Sequence, residues 1–462
     1  MKESKPVVGL IPIGKSLFSN EDAIRYKKLV QGKLTEWGVR YVDLEGVLED
    51  GLVRDQKHVD PVVEHMKKAE ADCIFMPHCN FGTEGAVGMI AKKMGVPVLL
   101  WGPRDEAPLP NGVRLRDTLC GLFASSKIIN KLNVPFTYIE NCRIDDEPFR
   151  KGFDTFQRAA NVAGIFRKGV RIGMVGSRID FFWTTIINES ELLDRFNVEV
   201  LTFDMVEFIR AAKNRVKTGR AKYEGPVKEL RQKYVVEGLD GNDEALMNIL
   251  AVADQLMAIG EDNGLAGFAF RDFMSIIDEM GVCCCHSKSL VSEHYAIGTE
   301  VDIHGAISDL ILRRANFNTA PGYLCEFVIR HPENDNAALI WHDGAPLSMC
   351  HPDDKLMLGR HWVQASGLAG MNHFRLKDGP VTVARFDGER GQYRLGFGEG
   401  KTVDGPKSQN NWAWVEVDNW PRWERTLIEG PYIHHLAMGY GHYADVLQEA
   451  CKYMPGVEPE RL

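Results

Sequence analysis

The run Cys73-Ile74-Phe75-Met76-Pro77-His78-Cys79-Asn80-Phe81-Gly82-Thr83-Glu84 sets the reading of the fold. Cys73 to Pro77 is an apolar strand. A turn follows, and Glu84 to Met94 has helical spacing. The same beat continues on both sides. Val7–Ile13, Arg40–Leu44 and Val96–Trp101 read as strands, and Asp22–Glu36 and His58–Ala71 as helices. Strand and helix in strict alternation predict a doubly wound, mostly parallel sheet. Such sheets place ligands beyond the C-terminal ends of their strands. Pro77 to Glu84 and Trp101-Gly102-Pro103-Arg104-Asp105-Glu106 sit at such ends.

A second unit starts near Gly169. Val170–Val175 is a strand, Gly176-Ser177-Arg178 its turn, and Trp183 onward reads as helix. Val198–Phe203 is the next strand, and Glu244–Ile259 is a helix with a broad apolar face. Gly267–Phe270 and Met280–Cys285 read as short strands, and Glu300 to Arg313 as strand end, loop and helix. Beyond Gly322 the rhythm changes. Phe327–Ile329, Asn336–Trp341, Val381–Phe386, Gln392–Phe397 and Trp412–Val417 are short strands, with a closing helix over Tyr443–Tyr453. The predicted architecture is two Rossmann-like doubly wound α/β domains, residues 1–165 and 166–321, followed by a β-rich C-terminal domain, 322–462.

Composition removes several classes. The 462 residues are 44% hydrophobic and 26% charged, an ordinary globular balance. A net charge of -9 argues against a general nucleic-acid binder. No apolar window is long enough for a membrane span. Val7–Ile13, broken by Gly9 and Pro12, reads as a first strand and not a signal peptide. Ten cysteines, three of them adjacent at 283–285, fit a reducing cytosol better than a disulfide framework, so the expected location is cytoplasmic.

The common signatures are missing: no full G-x-G-x-x-G at Gly173–Arg178, no Walker loop, no H-E-x-x-H, no G-x-S-x-G. Cys283, Cys284, Cys285 and His286 cannot easily all face one ion if extended, which leaves buried small residues as the plainer reading. Three stretches carry chemistry. In Gly298-Thr299-Glu300-Val301-Asp302-Ile303-His304-Gly305-Ala306, Glu300, Asp302 and His304 share a face if the chain is extended. Their oxygens suit a hard divalent ion such as Mg²⁺ or Mn²⁺. In Gly430 to His442, His434, His435 and His442 fall close together, and the glycines make a continuous helix doubtful. In Leu339-Ile340-Trp341-His342-Asp343-Gly344, a histidine closes an apolar strand. The tryptophans at 341, 412, 414, 420 and 423 suit either a sugar face or a β-domain core.

These stretches, in this order, resemble the L-fucose isomerase/L-arabinose isomerase superfamily, and most of all its shorter L-fucose isomerase-like members. The resemblance runs over nearly the whole chain. It rests on Asn80-Phe81-Gly82 with Glu84, on Arg114 to Gly121, on Glu300-x-Asp302 followed by Gly305-Ala306, and on His435-x6-His442. It implies a Mn²⁺-dependent intramolecular oxidoreductase, with Mg²⁺ or Co²⁺ as alternatives. It also implies trimers or hexamers with active sites between subunits. The family's metal is held by two acids and a histidine, which fall here on Asp272, Asp302 and His435. Two departures stand out. Phe270-Arg271-Asp272-Phe273 replaces a Trp-Pro-Glu-like run, so Asp272 is one methylene short. Trp341-His342-Asp343-Gly344 replaces Trp-His-Cys-Gly.

The expected reaction is aldose–ketose interconversion through a cis-enediol(ate). Asp272 and Asp302 would serve as acid and base, with Glu300 and His342 also catalytic. Asn80, Glu84, Arg104, Arg114, Trp341 and His442 would contact the sugar, the partner on this reading. The rivals are an epimerase or lyase using the same enediolate, and a non-catalytic sugar-binding protein.

Overall fold

The computed structural model describes residues 5–361 and 368–462. The chain divides into two compact units. One holds Ser4–Gly164 and Glu449–Met454, and the other Ile165–Gln448 and Pro455–Leu462.

The first unit is built on strands β1 (Val8–Leu10), β2 (Tyr41–Val42), β3 (Cys73–Pro77), β4 (Val98–Trp101) and β5 (Thr137–Tyr138). All its pairings are parallel, in the order β2-β1-β3-β4-β5. Alternate residues of each strand enter different cores. Val8, Leu10, Cys73, Phe75, Leu99 and Trp101 pack with Phe149 and Phe153. Ile74, Met76, Val98 and Leu100 pack with Val62, Val87 and Ile90. Both faces are therefore covered, which is why these strands are apolar throughout instead of alternating with polar residues.

The second unit opens with another parallel sheet. It comprises β6 (Val170–Val175), β7 (Val198–Phe203), β9 (Gly267–Phe270) and β10 (Ala296–Thr299), in the order β10-β9-β6-β7. The two-residue strand β8 (Val235–Val236) lies outside it and pairs with β13 (Met357–Arg360). Met280–Cys285 is not a strand. Ser275–Met280 and Cys285–Ser292 are short helices, and residues 281–284 join them. With Gly281 at φ +69 as the C-cap, the first helix ends after less than two turns, too early for the apolar run to extend.

The β-rich part contains β11 (Tyr323–Arg330), β12 (Ala337–His342), β14 (Ala369–Arg375), β15 (Pro380–Glu389), β16 (Gln392–Val403), β17 (Asn411–Val417), β18 (His435–Tyr440) and β19 (Val457–Arg461). Six of these close on themselves. β16 pairs with β15, β15 with β18, β18 with β11, β11 with β12, β12 with β17, and β17 returns to β16. Every contact in this ring is antiparallel, and closure leaves no free edge among the six. Ala338, Ile340, Val381, Val383, Ala413, Val415 and Met438 form one cluster, and Leu339, Trp412 and Trp414 form another. Trp412 and Trp414 are thus core residues on the opposite strand face.

The helix Ile303–Ala315 joins sheet and barrel. It packs against β6, β9 and β10 on one side and against β11, β15 and β18 on the other. All but one of its residues are buried, as expected of a helix covered all round. Its entry is tightly constrained. A Cβ on Gly298 would lie 1.9 Å from the carbonyl oxygen of Asp302. Gly298→Ala is therefore expected to destabilise the protein by about 3 kcal/mol, as overpacking against backbone does, read as a lower urea midpoint with an unchanged m-value.

Candidate functional site

Strand ends and one tight turn assemble the site. Asp272 follows β9, and Glu300 follows β10 directly, at the carboxyl edge of the parallel sheet. His342 ends β12 and His435 begins β18. On β11, Glu326 pairs with His435 on one side and Trp341 on the other, so the two histidine-bearing strands flank a common neighbour. The His342 and His435 rings lie 5.5 Å apart.

The turn after β10 is strained. Glu300 (φ +56) and Val301 (φ +61) are both left-handed, a rare state for any side chain and rarer for a β-branched one. Four contacts hold it. Asp272 Oδ1 accepts from Glu300 N–H (3.1 Å), and Phe270 O accepts from Val301 N–H (3.2 Å). Asp302 N–H donates to Thr299 O (3.0 Å), and Asp302 Oδ1 caps the following helix by accepting from Gly305 N–H (2.8 Å).

Asp302 is fully buried. Arg385 donates to both its oxygens, at 2.5 and 3.2 Å, and His435 Nδ1 lies 3.0 Å from Oδ2. Burial alone would raise its pKa, but Arg385 and His435 hold it far below the usual carboxylate range. Its lone pairs are thus taken by the helix cap, the guanidinium and the imidazole. The sequence places Asp302 among the metal ligands. In the structure its oxygens meet Gly305 N–H, the Arg385 guanidinium and His435 Nδ1.

That leaves His435 Nε2. It is buried, 3.4 Å from Glu300 Oε2, and has no hydrogen-bond partner among the described residues. Burial lowers the His435 pKa, but Asp302 and Glu300 outweigh it and push the value up to about 9. One ligand atom each from Glu300, His434 and His435 lies within 4.8 Å of the others. His434 is the half-exposed member, with Nε2 3.6 Å from Glu326.

Asp272 is also engaged. Its Oδ2 accepts from Thr299 Oγ1 (2.5 Å) and from the Lys288 ammonium, which also meets Asp343 and Thr299 Oγ1 (2.8 Å). Asp343 N–H donates to His342 Nδ1 (2.8 Å), and Cys285 Sγ donates to Asp343 Oδ2 (2.8 Å). Lys288 pairs with Asp272 and Asp343, Arg385 with Asp302 and Asp387, and Glu300 faces His435. The Glu300 carboxylate and the His435 Nε2, 3.4 Å apart and not hydrogen-bonded to each other, with His434 beside them, form a donor set that fits a divalent cation.

The other expected residues are placed differently. Trp341 is beside His342, and its Nε1 donates to Gln409 O (2.9 Å). His442 is exposed beyond the end of β18, in an open surface groove with Glu399, Lys401 and Glu416, and does not join the cluster. Asn80, Glu84, Arg104 and Arg114 belong to the first unit. Asn80 is buried and holds a loop, accepting from Lys15 N–H (2.8 Å). Glu84 starts a helix and pairs with Lys15 at 3.7 Å. Arg104 is exposed, and the exposed Arg114 forms a fork with Asp117 at 2.7 and 3.0 Å.

Sequence reasoning missed Lys288 and Arg385. A signal existed for Arg385, a lone cation in the otherwise uncharged run Val381–Phe386. Lys288 sits among cysteines and serines in Cys285–Ser292, where nothing marks it as buried.

Two family matches flank this site in sequence. Residues 9–167 match "Fucose/sulfoquinovose isomerase, N-terminal domain", and residues 346–458 match "L-fucose isomerase, C-terminal domain". The chain belongs to the L-fucose isomerase-like superfamily. Sulfoquinovose isomerases of Priestia aryabhattai and Priestia megaterium are 26% identical over 453 residues, 95% of this chain and 95% of theirs. One from Alkalicoccus urumqiensis is 25% identical over 73% of this chain and 74% of its own. A periplasmic solute-binding protein with bound D-allose, from Actinobacillus succinogenes, covers 56% of this chain and 92% of its own at 11% identity. Its TM-score is 0.18. No helix among the described residues is long and apolar enough to cross a membrane.

Arg385→Met would leave the buried Asp302 with only the helix cap and His435. A loss of about 3 kcal/mol is expected from breaking this buried ion pair, measured by denaturant unfolding.

Proposed function

We propose that this protein is an aldose–ketose isomerase that uses a divalent cation, with a 6-sulfonated aldose as the first substrate to test. The observation that carries the reading is the Glu300–His435 pair: a buried imidazole nitrogen 3.4 Å from a carboxylate and without a hydrogen bond among the described residues, beside the Asp302–His435 contact. Full-length similarity to sulfoquinovose isomerases supports the substrate class.

On this reading Glu300, His435 and His434 hold the cation, of which Mn²⁺ is the natural choice. When bound, it supplies positive charge that steadies negative charge developing on the sugar oxygens O1 and O2. The rest belongs to the side chains. No protein group bonds Glu300 Oε1 among the described residues, so that oxygen is free to take the C2 proton and return it at C1. His342 Nδ1 is held by Asp343, beside its N–H (2.8 Å) and its Oδ1 (3.2 Å), so Nε2 is the ring nitrogen left to pass a proton between O2 and O1. Asp272 and Asp302, whose oxygens are engaged elsewhere, hold the turn and the ring instead of moving protons. The substrate passes through an enediol, so an epimerase would share these residues. Loss of label from C2 without a ketose product would favour that second chemistry.

The test is product analysis by NMR with sulfoquinovose, L-fucose and other free aldoses, with and without Mn²⁺. Isomerised ketose is expected from the wild type, and Glu300→Gln is expected to lower kcat by at least about 10²-fold. No ketose from any aldose would end the reading. Cation binding also depends on pH. A proton sits on His435 up to about pH 9 in the metal-free protein. The cation must displace it, so Mn²⁺ affinity should rise by about tenfold per pH unit between pH 7 and 9, measured by titration calorimetry in buffers of different ionisation heat.

A further inference from the structure

Lys288 is 1% exposed, rare for a lysine unless its charge is paired. Its ammonium meets Asp272 Oδ2, Asp343 Oδ1 and Thr299 Oγ1. An ammonium has three N–H donors, and these three acceptors use all of them. It therefore has no proton left to offer a substrate. Burial opposes its charge, but Asp272 and Asp343 outweigh that and hold its pKa above the usual lysine value. The charge is permanent and sits one hydrogen bond from the turn that carries Glu300, since Asp272 Oδ1 holds Glu300 N–H.

We infer that Lys288 is a resident cation of the site, a positioning residue that keeps Asp272 and Asp343 from ligating a metal and sets the affinity of the Glu300–His435 site for its divalent ion. The argument is one of charge. Two buried carboxylates converging on one point form a cation site by themselves. Here the ammonium fills that point and cancels part of the negative field. An ion at Glu300 and His435 then meets a weaker negative field than Asp272 and Asp343 would give unpaired. The proposal also accounts for Asp272, whose carboxylate sits on the lysine instead of reaching toward His435. It rests on the reading above that Glu300 and His435 take a divalent cation, but not on the identity of the sugar.

Two variants are expected to move Mn²⁺ binding in opposite directions. Lys288→Met removes the positive charge and frees Asp272 and Asp343. Mn²⁺ is then expected to bind at least tenfold more tightly, or as two ions per chain where the wild type binds one. Asp343→Asn keeps the lysine and removes a negative charge, and Mn²⁺ is expected to bind at least threefold more weakly. Both are measured on the full-length protein by Mn²⁺ electron paramagnetic resonance and titration calorimetry, with the fold checked by circular dichroism. A purely structural role would move both variants the same way, and that result, or unchanged Mn²⁺ binding in both, overturns the inference. If Lys288→Met does not fold, Asp343→Asn still decides: equal or tighter Mn²⁺ binding there refutes it. Kinetics add a separate arm. In Lys288→Met, kcat should fall at least tenfold while KM stays within threefold, because the lysine touches no substrate. A wild type that binds Mn²⁺ as described but isomerises no sugar would sink the proposed function and leave the lysine's role standing.

Discussion

One carboxylate couples the parts of the second unit. Asp302 caps the buried helix Ile303–Ala315, takes the guanidinium of Arg385 from the barrel, and fixes His435 at the start of another barrel strand. A charge this deep is tolerated only because each oxygen is satisfied. The same bonds set the distance between sheet and barrel at the point where the site forms. Helix, barrel and imidazole are therefore not independent features. They are positioned by one group that could not be buried without all of them.

The site follows from that constraint. With Nδ1 of His435 taken, only Nε2 remains to face Glu300. Glu300 reaches it from a turn whose backbone is left-handed at two successive residues, held by Asp272, Phe270 and the helix cap. Strain of this kind persists where surrounding contacts over-determine it, and it tends to mark functional positions. Charges are shared out in the same way. Arg385 serves Asp302 and Asp387, Lys288 serves Asp272 and Asp343, and Glu300 faces the His435 Nε2.

Much of this was legible beforehand, for definable reasons. The strand–helix alternation around Cys73–Glu84 and the strand–loop–helix junction at Glu300–Gly305 are local patterns that the structure contains, but a left-handed turn at Glu300 and Val301 replaces the extended segment that would put Glu300, Asp302 and His304 on one face. The run Met280–Cys285 misled because an apolar stretch of that length fits a strand as readily as the end of a short helix. His442 was grouped with His435 by sequence spacing. Yet a strand over His435–Tyr440 carries the two histidines to opposite ends, and only the first meets the acids. Asp272 and Asp302 were read as ligands from residue type and family position. Their partners, Lys288 and Arg385, lie 16 and 83 residues away in the chain, beyond the reach of any local pattern.

The sequence by itself determined the layered α/β architecture, the β-rich C-terminal part and which stretches carry acids and histidines, because periodicity and turn chemistry are short-range properties. The tertiary structure decided which oxygen is free and which is spent. That depends on long-range pairing between buried charges, and the free energy of a buried charge is set by the few groups that surround it in space.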